Sequence, residues 1–143
     1  MKDWVPEIEK QSQADIVALQ EKKLQEVLAY VNEHSAFYKR LFKEHNINVS
    51  AIKTLSDLIK LPTTCKDDLQ RDNDAFRCVP KSAIVDYAST SGTLGTPVTF
   101  GLTDNDLNRL AYNEAISLAC AGIKKGDVVQ LMTTIDRRFM SGL

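Results

Sequence analysis

Glycine is missing from the first part of this chain: all six glycines fall from Gly92 onward. A long stretch without glycine has no cheap access to positive φ, so it favours helices joined by short polar turns. Cysteine is scarce, and Cys65, Cys78 and Cys120 are odd in number and widely spaced. They form no CxxC and no Cys/His pattern, which excludes a disulfide scaffold and a zinc cluster and points to reduced thiols in the cytoplasm. No apolar run approaches the roughly 20 residues a spanning helix needs, and Met1-Lys2-Asp3-Trp4 lacks a signal-peptide core, so no membrane role is expected. Charge of one sign is also lacking. A formal net charge of −1 leaves no excess of Lys or Arg to displace counterions, so no nucleic-acid partner is expected.

The chain does hold the apolar content of a folded domain, with 43% hydrophobic and 26% charged residues, which excludes a disordered polar chain. Ser12 to His34 reads as one long amphipathic helix, with Ser12 and Asp15 resembling a capping box. Ile16, Leu19, Leu24, Val27, Leu28 and Val31 recur at helical spacing, while Glu21, Lys22, Gln25 and Glu26 are expected in solvent. A shorter helix is expected from about Ser35 to His45, with Phe37, Leu41 and Phe42 inward and Asn46 as its terminator. Ser56 to Ile59 suggests one turn before Leu61-Pro62. Thr64 and Asp67 suggest the cap of a helix over about Lys66 to Asp72.

Beyond Pro80 the pattern changes. Ala83 to Ser89 and Pro97 to Phe100 read as strands. Thr103 and Asp106 form a capping-box pair for a helix that ends at Gly122. Val128 to Met132 reads as a buried strand. Strand, helix and strand in that order suggest a crossover in a largely parallel sheet. The expected fold class is α/β, with a helical N-terminal region over 1–80 and the first strands, the hairpin between them and a crossover helix over 81–143. The break at Phe139-Met140-Ser141-Gly142-Leu143, just after a strand, suggests an N-terminal piece of a longer protein whose strand edges need further residues or a second copy to cover them.

Between the first two strands lies Thr90-Ser91-Gly92-Thr93-Leu94-Gly95-Thr96, built of hydroxyls and glycines. Gly92 and Gly95 permit a tight turn that gathers backbone N–H groups on one concave side, a nest that binds anions without a charged side chain. Thr90, Ser91, Thr93 and Thr96 add hydroxyls, and many donors suit a phosphate chain. The same residue types also suit a plain connecting turn. A Walker A loop is excluded, because no Lys follows the last glycine and Pro97 leads into a strand; no GxGxxG is present either.

Tyr87-Ala88-Ser89-Thr90-Ser91-Gly92-Thr93-Leu94-Gly95-Thr96-Pro97 resembles the phosphate loop of the adenylate-forming superfamily, whose loop reads Ser-Gly-Thr-Thr-Gly-x-Pro. Within it the chain looks like the phenylacetate-CoA ligase group. The resemblance includes Trp4, the helix around Leu24 to Tyr30, Phe37 to Arg40, Leu55 to Pro62, Thr64 to Leu69, and Gly122 to Asp127. It implies the start, incomplete, of an adenylate-forming ligase large domain. The implied reaction has two steps: a carboxylate attacks the α-phosphorus of ATP and releases pyrophosphate, and the thiol of coenzyme A then takes the acyl group. By the same resemblance Thr90, Ser91, Gly92, Thr93, Gly95 and Thr96 hold the nucleotide phosphates, with Mg²⁺ beside them. Catalytic residues are not assigned, and no protein metal ligands are. A small carboxylic acid, ATP and CoA are the expected partners, with a homodimer the expected assembly if the chain pairs with itself.

Three departures stand out: Leu94 replaces a common Thr, no basic residue stands at Thr96 or Val98, and Ile135-Asp136-Arg137-Arg138-Phe139 replaces a Tyr/Gly-rich stretch near the acyl pocket. The last leaves the identity of the acid open. Two other readings remain: a related adenylyltransferase acting on a deazaflavin without CoA, and a phosphate-binding or helical interaction module without activity. His34 and His45, near helix ends, read as partners of helix C-termini, and Asp67-Asp68 as first-turn carboxylates.

Overall fold

The computed structural model describes residues 6–90, 97–130 and 132. The chain divides into two compact units, Glu7–Pro80 and a second that contains everything from Lys81 onward.

The first unit is helical. Helix α1 (Gln13–His34) opens where the Ser12 hydroxyl accepts the Asp15 amide at 3.2 Å. It ends at Ser35, whose extended backbone interrupts the spiral while its N–H still donates to the Val31 carbonyl. Ser35 is also the cap of α2 (Ala36–Glu44), its hydroxyl accepting the Tyr38 amide at 3.3 Å. One residue therefore ends one helix and starts the next. Helix α2 stops as expected at Asn46, which takes φ 52°. The Ile47 amide then reaches back to the Phe42 carbonyl and the Asn46 amide to that of Lys43, the paired bonds of a left-handed helix stop.

The core of this unit is Leu28, Phe42 and Ile52, ringed by Leu24, Val31, Tyr38, Ile47, Val49 and Leu61. Phe37 stacks on Phe76 with ring centres 3.8 Å apart, and Tyr38 meets Phe76 edge-on. Two expectations for α1 are corrected. Val27, expected inward, is 50% exposed. Glu21, expected in solvent, is half-buried and its Oε1 accepts the Leu55 amide at 3.2 Å, while Gln25 stays exposed as expected and donates to the Lys53 carbonyl at 3.1 Å. The helical period identifies a stripe, but what lies against each side of it depends on where residues 52–55 return.

A 3₁₀ helix over Leu55–Lys60 extends the single turn expected there, capped by Thr54 and Asp57. Helix α3 (Lys66–Arg71) is capped one residue later than expected, by Cys65 and Asp68 rather than Thr64 and Asp67. Both pairs have the same spacing. The Cys65 amide and thiol converge on Asp68 Oδ2, at 2.9 and 3.3 Å, and that pair of bonds sets the register.

The second unit opens with a 3₁₀ turn at Lys81–Ala83, so the first strand starts later than expected: β1 is Asp86–Ser89, with pairing already begun by the Val85 amide on the Leu102 carbonyl. Strand β2 is Thr99–Leu102, shifted two residues from the expected Pro97 to Phe100. The two are antiparallel, with Asp86 opposite Leu102 and Ser89 opposite Thr99. Alternation buries Ala88, Val98 and Leu102 on one face. On the other face Gly101 makes room for Ile84, whose Cδ1 lies 2.6 Å from where a Cβ at Gly101 would stand.

Thr103 closes a full capping box with Asp106 and opens α4 (Asp104–Cys120). Gly122, at φ 88°, stops it, with the Ile123 amide returning to the Leu118 carbonyl. Lys124 to Asp127 is a turn closed by the Asp127 amide on the Lys124 carbonyl, and Gly126 at φ 102° supplies its left-handed position.

The expected strand over Val128 to Met132 is not formed by its described residues. Val128 is 97% and Met132 86% exposed; Leu131 lies outside the described residues. The sheet among the described residues is thus a two-stranded antiparallel hairpin, not the parallel pair implied by a crossover. A parallel neighbour needs a third strand, and the described residues after Gly126 offer exposed side chains without a ladder to join. No residue of α4 is buried, and the apolar Leu107, Leu110 and Ala115 are only half-covered.

Candidate functional site

The hairpin presents the glycine- and hydroxyl-rich segment between two strands rather than at the start of a helix. Of the residues expected to hold phosphate, Thr90 is described, whereas Ser91, Gly92, Thr93, Gly95 and Thr96 lie outside the described residues. Thr90 stands just past the end of β1, opposite Val98, and these two form the neck from which the segment departs.

The neck is bonded twice. The Thr90 N–H donates to the Val98 carbonyl at 2.9 Å, and the Val98 N–H donates to Thr90 Oγ1 at 3.0 Å. In a regular antiparallel ladder, opposed residues can exchange two amide-to-carbonyl bonds. Here the side-chain hydroxyl takes the place of the carbonyl. Sequence reasoning gave Thr90 a hydroxyl contact with phosphate and missed this bond, since it follows from the strand register, which no local pattern in the chain reveals. Every residue from Ser89 to Thr99 is uncharged, so any anion held here would rest on amides and hydroxyls.

Next to the neck in sequence, the Asp106 carboxyl is held below its ordinary range by the Thr103 amide and hydroxyl. It is engaged in starting α4. Of the acidic pair after Lys66, Asp68 is likewise in use: it accepts from the Cys65 amide and thiol, which lower its pKa. No group of three or more His, Cys, Asp or Glu side chains that could hold a metal occurs among the described residues. His34 lies at the last turn of α1 against the Tyr30 ring, 4.7 Å between centres, and His45 ends α2 through its backbone. Cys78 is partly covered, and burial pushes its thiol pKa up, away from the thiolate a nucleophile requires. Arg137 and Arg138 lie outside the described residues. No helix among the described residues is long and apolar enough to cross a membrane.

No family model matches the chain. It is 39% identical over 125 residues to a phenylacetate-coenzyme A ligase of Thermus thermophilus, covering 86% of this chain and 28% of that protein. It is 36% identical over 126 residues to the phenylacetate-coenzyme A ligase of Escherichia coli, covering 87% and 29%. Among solved structures it resembles 2-hydroxyisobutyryl-CoA ligase in complex with 2-HIB-AMP and CoA, with a TM-score of 0.75, 32% identity, and coverage of 82% of this chain and 26% of that one. The chain therefore spans a little over a quarter of the length of the relatives it matches. The resemblance carried by its loop and flanking segments holds across most of the chain, and the helical region followed by a small hairpin matches the N-terminal portion of an adenylate-forming ligase.

Proposed function

We propose that the chain is the N-terminal portion of an ATP-dependent, AMP-forming ligase that joins an aromatic, phenylacetate-like carboxylic acid to coenzyme A through an acyl-adenylate. The observation that carries this reading is the 39% identity to a phenylacetate-coenzyme A ligase over 86% of the chain. The solved ligase at 0.75 TM-score supports the same type of chemistry on another acid, since it is a complex with 2-HIB-AMP and CoA. In this reading residues 1–80 are a helical N-terminal region, and residues 81–143 begin the nucleotide-binding α/β subdomain of a cytoplasmic enzyme.

The work assigned to this part of the enzyme is to receive the leaving phosphates. Ser91, Gly92, Thr93, Gly95 and Thr96 supply amides and hydroxyls, and Thr90 its hydroxyl proton, to oxygens that gain charge as pyrophosphate departs. Magnesium would sit beside those phosphates, as at most ATP sites. The remaining catalytic groups belong to the larger enzyme, so the isolated chain is expected to be inactive.

The test is ATP–pyrophosphate exchange by the full-length protein, offered phenylacetate and 2-hydroxyisobutyrate separately. Exchange driven by phenylacetate is the expected result. Exchange driven only by the hydroxy acid would overturn the aromatic assignment, and no exchange with any acid would overturn the ligase reading. Gly92→Val should raise the KM for ATP; an unchanged value would remove the loop from the site.

A further inference from the structure

The neck of the hairpin carries a feature that composition does not explain. Val98 is buried, 2% exposed, so its N–H has no water to bond and must find a partner within the protein. That partner is not the Thr90 carbonyl opposite but the Thr90 hydroxyl, at 3.0 Å, while the Thr90 N–H keeps its regular bond to the Val98 carbonyl at 2.9 Å. The two strands thus stay joined through one residue pair beyond the last regular rung, Ser89 opposite Thr99, although the backbone at Thr90 no longer offers its carbonyl to Val98.

From this we infer that Thr90 is a positioning residue: its Oγ1 clasps the Val98 amide and holds together the two ends of the segment that leaves the hairpin there. The inference rests on the reading of that segment as a phosphate loop. It assigns Thr90 a different first task from that of Ser91 and Thr93. A residue without a γ-oxygen leaves a buried N–H orphaned, and the neck must open to let water reach it. Serine keeps the oxygen and should keep the clasp. By accepting the Val98 bond, Thr90 also has its hydroxyl proton turned away from that amide and left as its one donor.

The full-length protein tests this with Thr90→Val and Thr90→Ser, read by residue-resolved hydrogen–deuterium exchange and by ATP–pyrophosphate exchange. In Thr90→Val the Val98 amide should exchange about tenfold faster, the scale of one lost hydrogen bond. The KM for ATP should rise several-fold with kcat changed much less, and Thr90→Ser should restore both. A raised KM with Val98 protection unchanged would make Thr90 a direct phosphate contact and overturn the clasp. Lost protection with KM unchanged would overturn its role in positioning. If Thr90→Val does not fold, the wild-type amide decides: Val98 exchanging as freely as an open loop overturns the inference. A wild-type protein that shows no pyrophosphate exchange defeats the ligase reading instead, and Val98 protection in the variants still reports on the clasp.

Discussion

Ser35 Oγ donates to the carbonyl of Ala75 at 2.9 Å, across 40 residues of chain. Ser35 is wholly buried, at 0% exposure, and the same oxygen accepts the Tyr38 amide. A single hydroxyl thus caps α2 and ties the α1–α2 corner to the segment that carries Phe76, the ring stacked on Phe37.

Removing that hydroxyl takes away a helix cap and leaves the carbonyl of the half-buried Ala75 without this partner. Caps are typically worth ~1 kcal/mol, and an unsatisfied buried group costs about 1–3 kcal/mol. Ser35→Ala should destabilise the helical unit by roughly 2–3 kcal/mol on those figures. Urea unfolding followed by circular dichroism at 222 nm, a helix wavelength, checks it: the midpoint should fall while the slope stays the same.

Asn46 holds φ 52°, the left-handed position that stops α2. Asparagine and glycine tolerate it, whereas a β-branched side chain collides with its own backbone. Asn46→Gly should leave stability within about 1 kcal/mol of the parent, and Asn46→Val should cost on the order of 1–2 kcal/mol. Equal midpoints for the two variants would contradict the backbone assignment.

Three carboxylates reach back to start a helical turn: Asp57 to Thr54, Asp68 to Cys65 and Asp106 to Thr103. Asp57 is shifted furthest, held far below the usual carboxylate range by Lys60 first, then by the Lys53 and Thr54 amides. A carboxyl whose pKa is lower folded than unfolded contributes stability above its unfolded value, ~3.9, and loses it as pH falls toward the folded value. The unfolding midpoint should therefore decline as acid is added below about pH 4, and less steeply in Asp57→Asn. A midpoint just as acid-sensitive in the variant would show that Asp57 has no part in it.

Gly101 stands where a Cβ would meet Ile84 Cδ1 at 2.6 Å and both Cγ1 and Cγ2 at 3.2 Å. The branch atoms lie close to the Ile84 backbone and have little room to move. Gly101→Ala should cost about 1–3 kcal/mol, as overpacking does. Pairing it with Ile84→Ala should recover part of that loss, giving a coupling energy above ~0.5 kcal/mol in a double-mutant cycle. Additive effects would place the two residues apart.

Much of the fold was legible because its signals are local. Ser12 with Asp15, Thr103 with Asp106, Asn46 and Gly122 each act over one helical turn, and each marks the boundary expected of it. Where two local signals competed, at Thr64/Asp67 and Cys65/Asp68, spacing could not choose. The strand at Val128 failed for another reason: an apolar run becomes a strand only beside a partner, and the described residues give it none. The candidate site divides in the same way. Its glycines and hydroxyls, and the family they resemble, can be read in order along the chain, but the bond between Thr90 and Val98 cannot.

What the sequence determined by itself is the set of helix starts and stops, the glycine-free helical region, and the uncharged, hydroxyl-rich loop between two strands. Each depends on groups a few residues apart, whose geometry the backbone dictates. Tertiary structure decided which flank of α1 Glu21 and Gln25 would hold, that Ser35 would reach Ala75, and that the hairpin register would set the Val98 amide on a threonine hydroxyl. Those bonds join segments that only packing brings together, and a buried polar group takes whichever partner the packed chain leaves within reach.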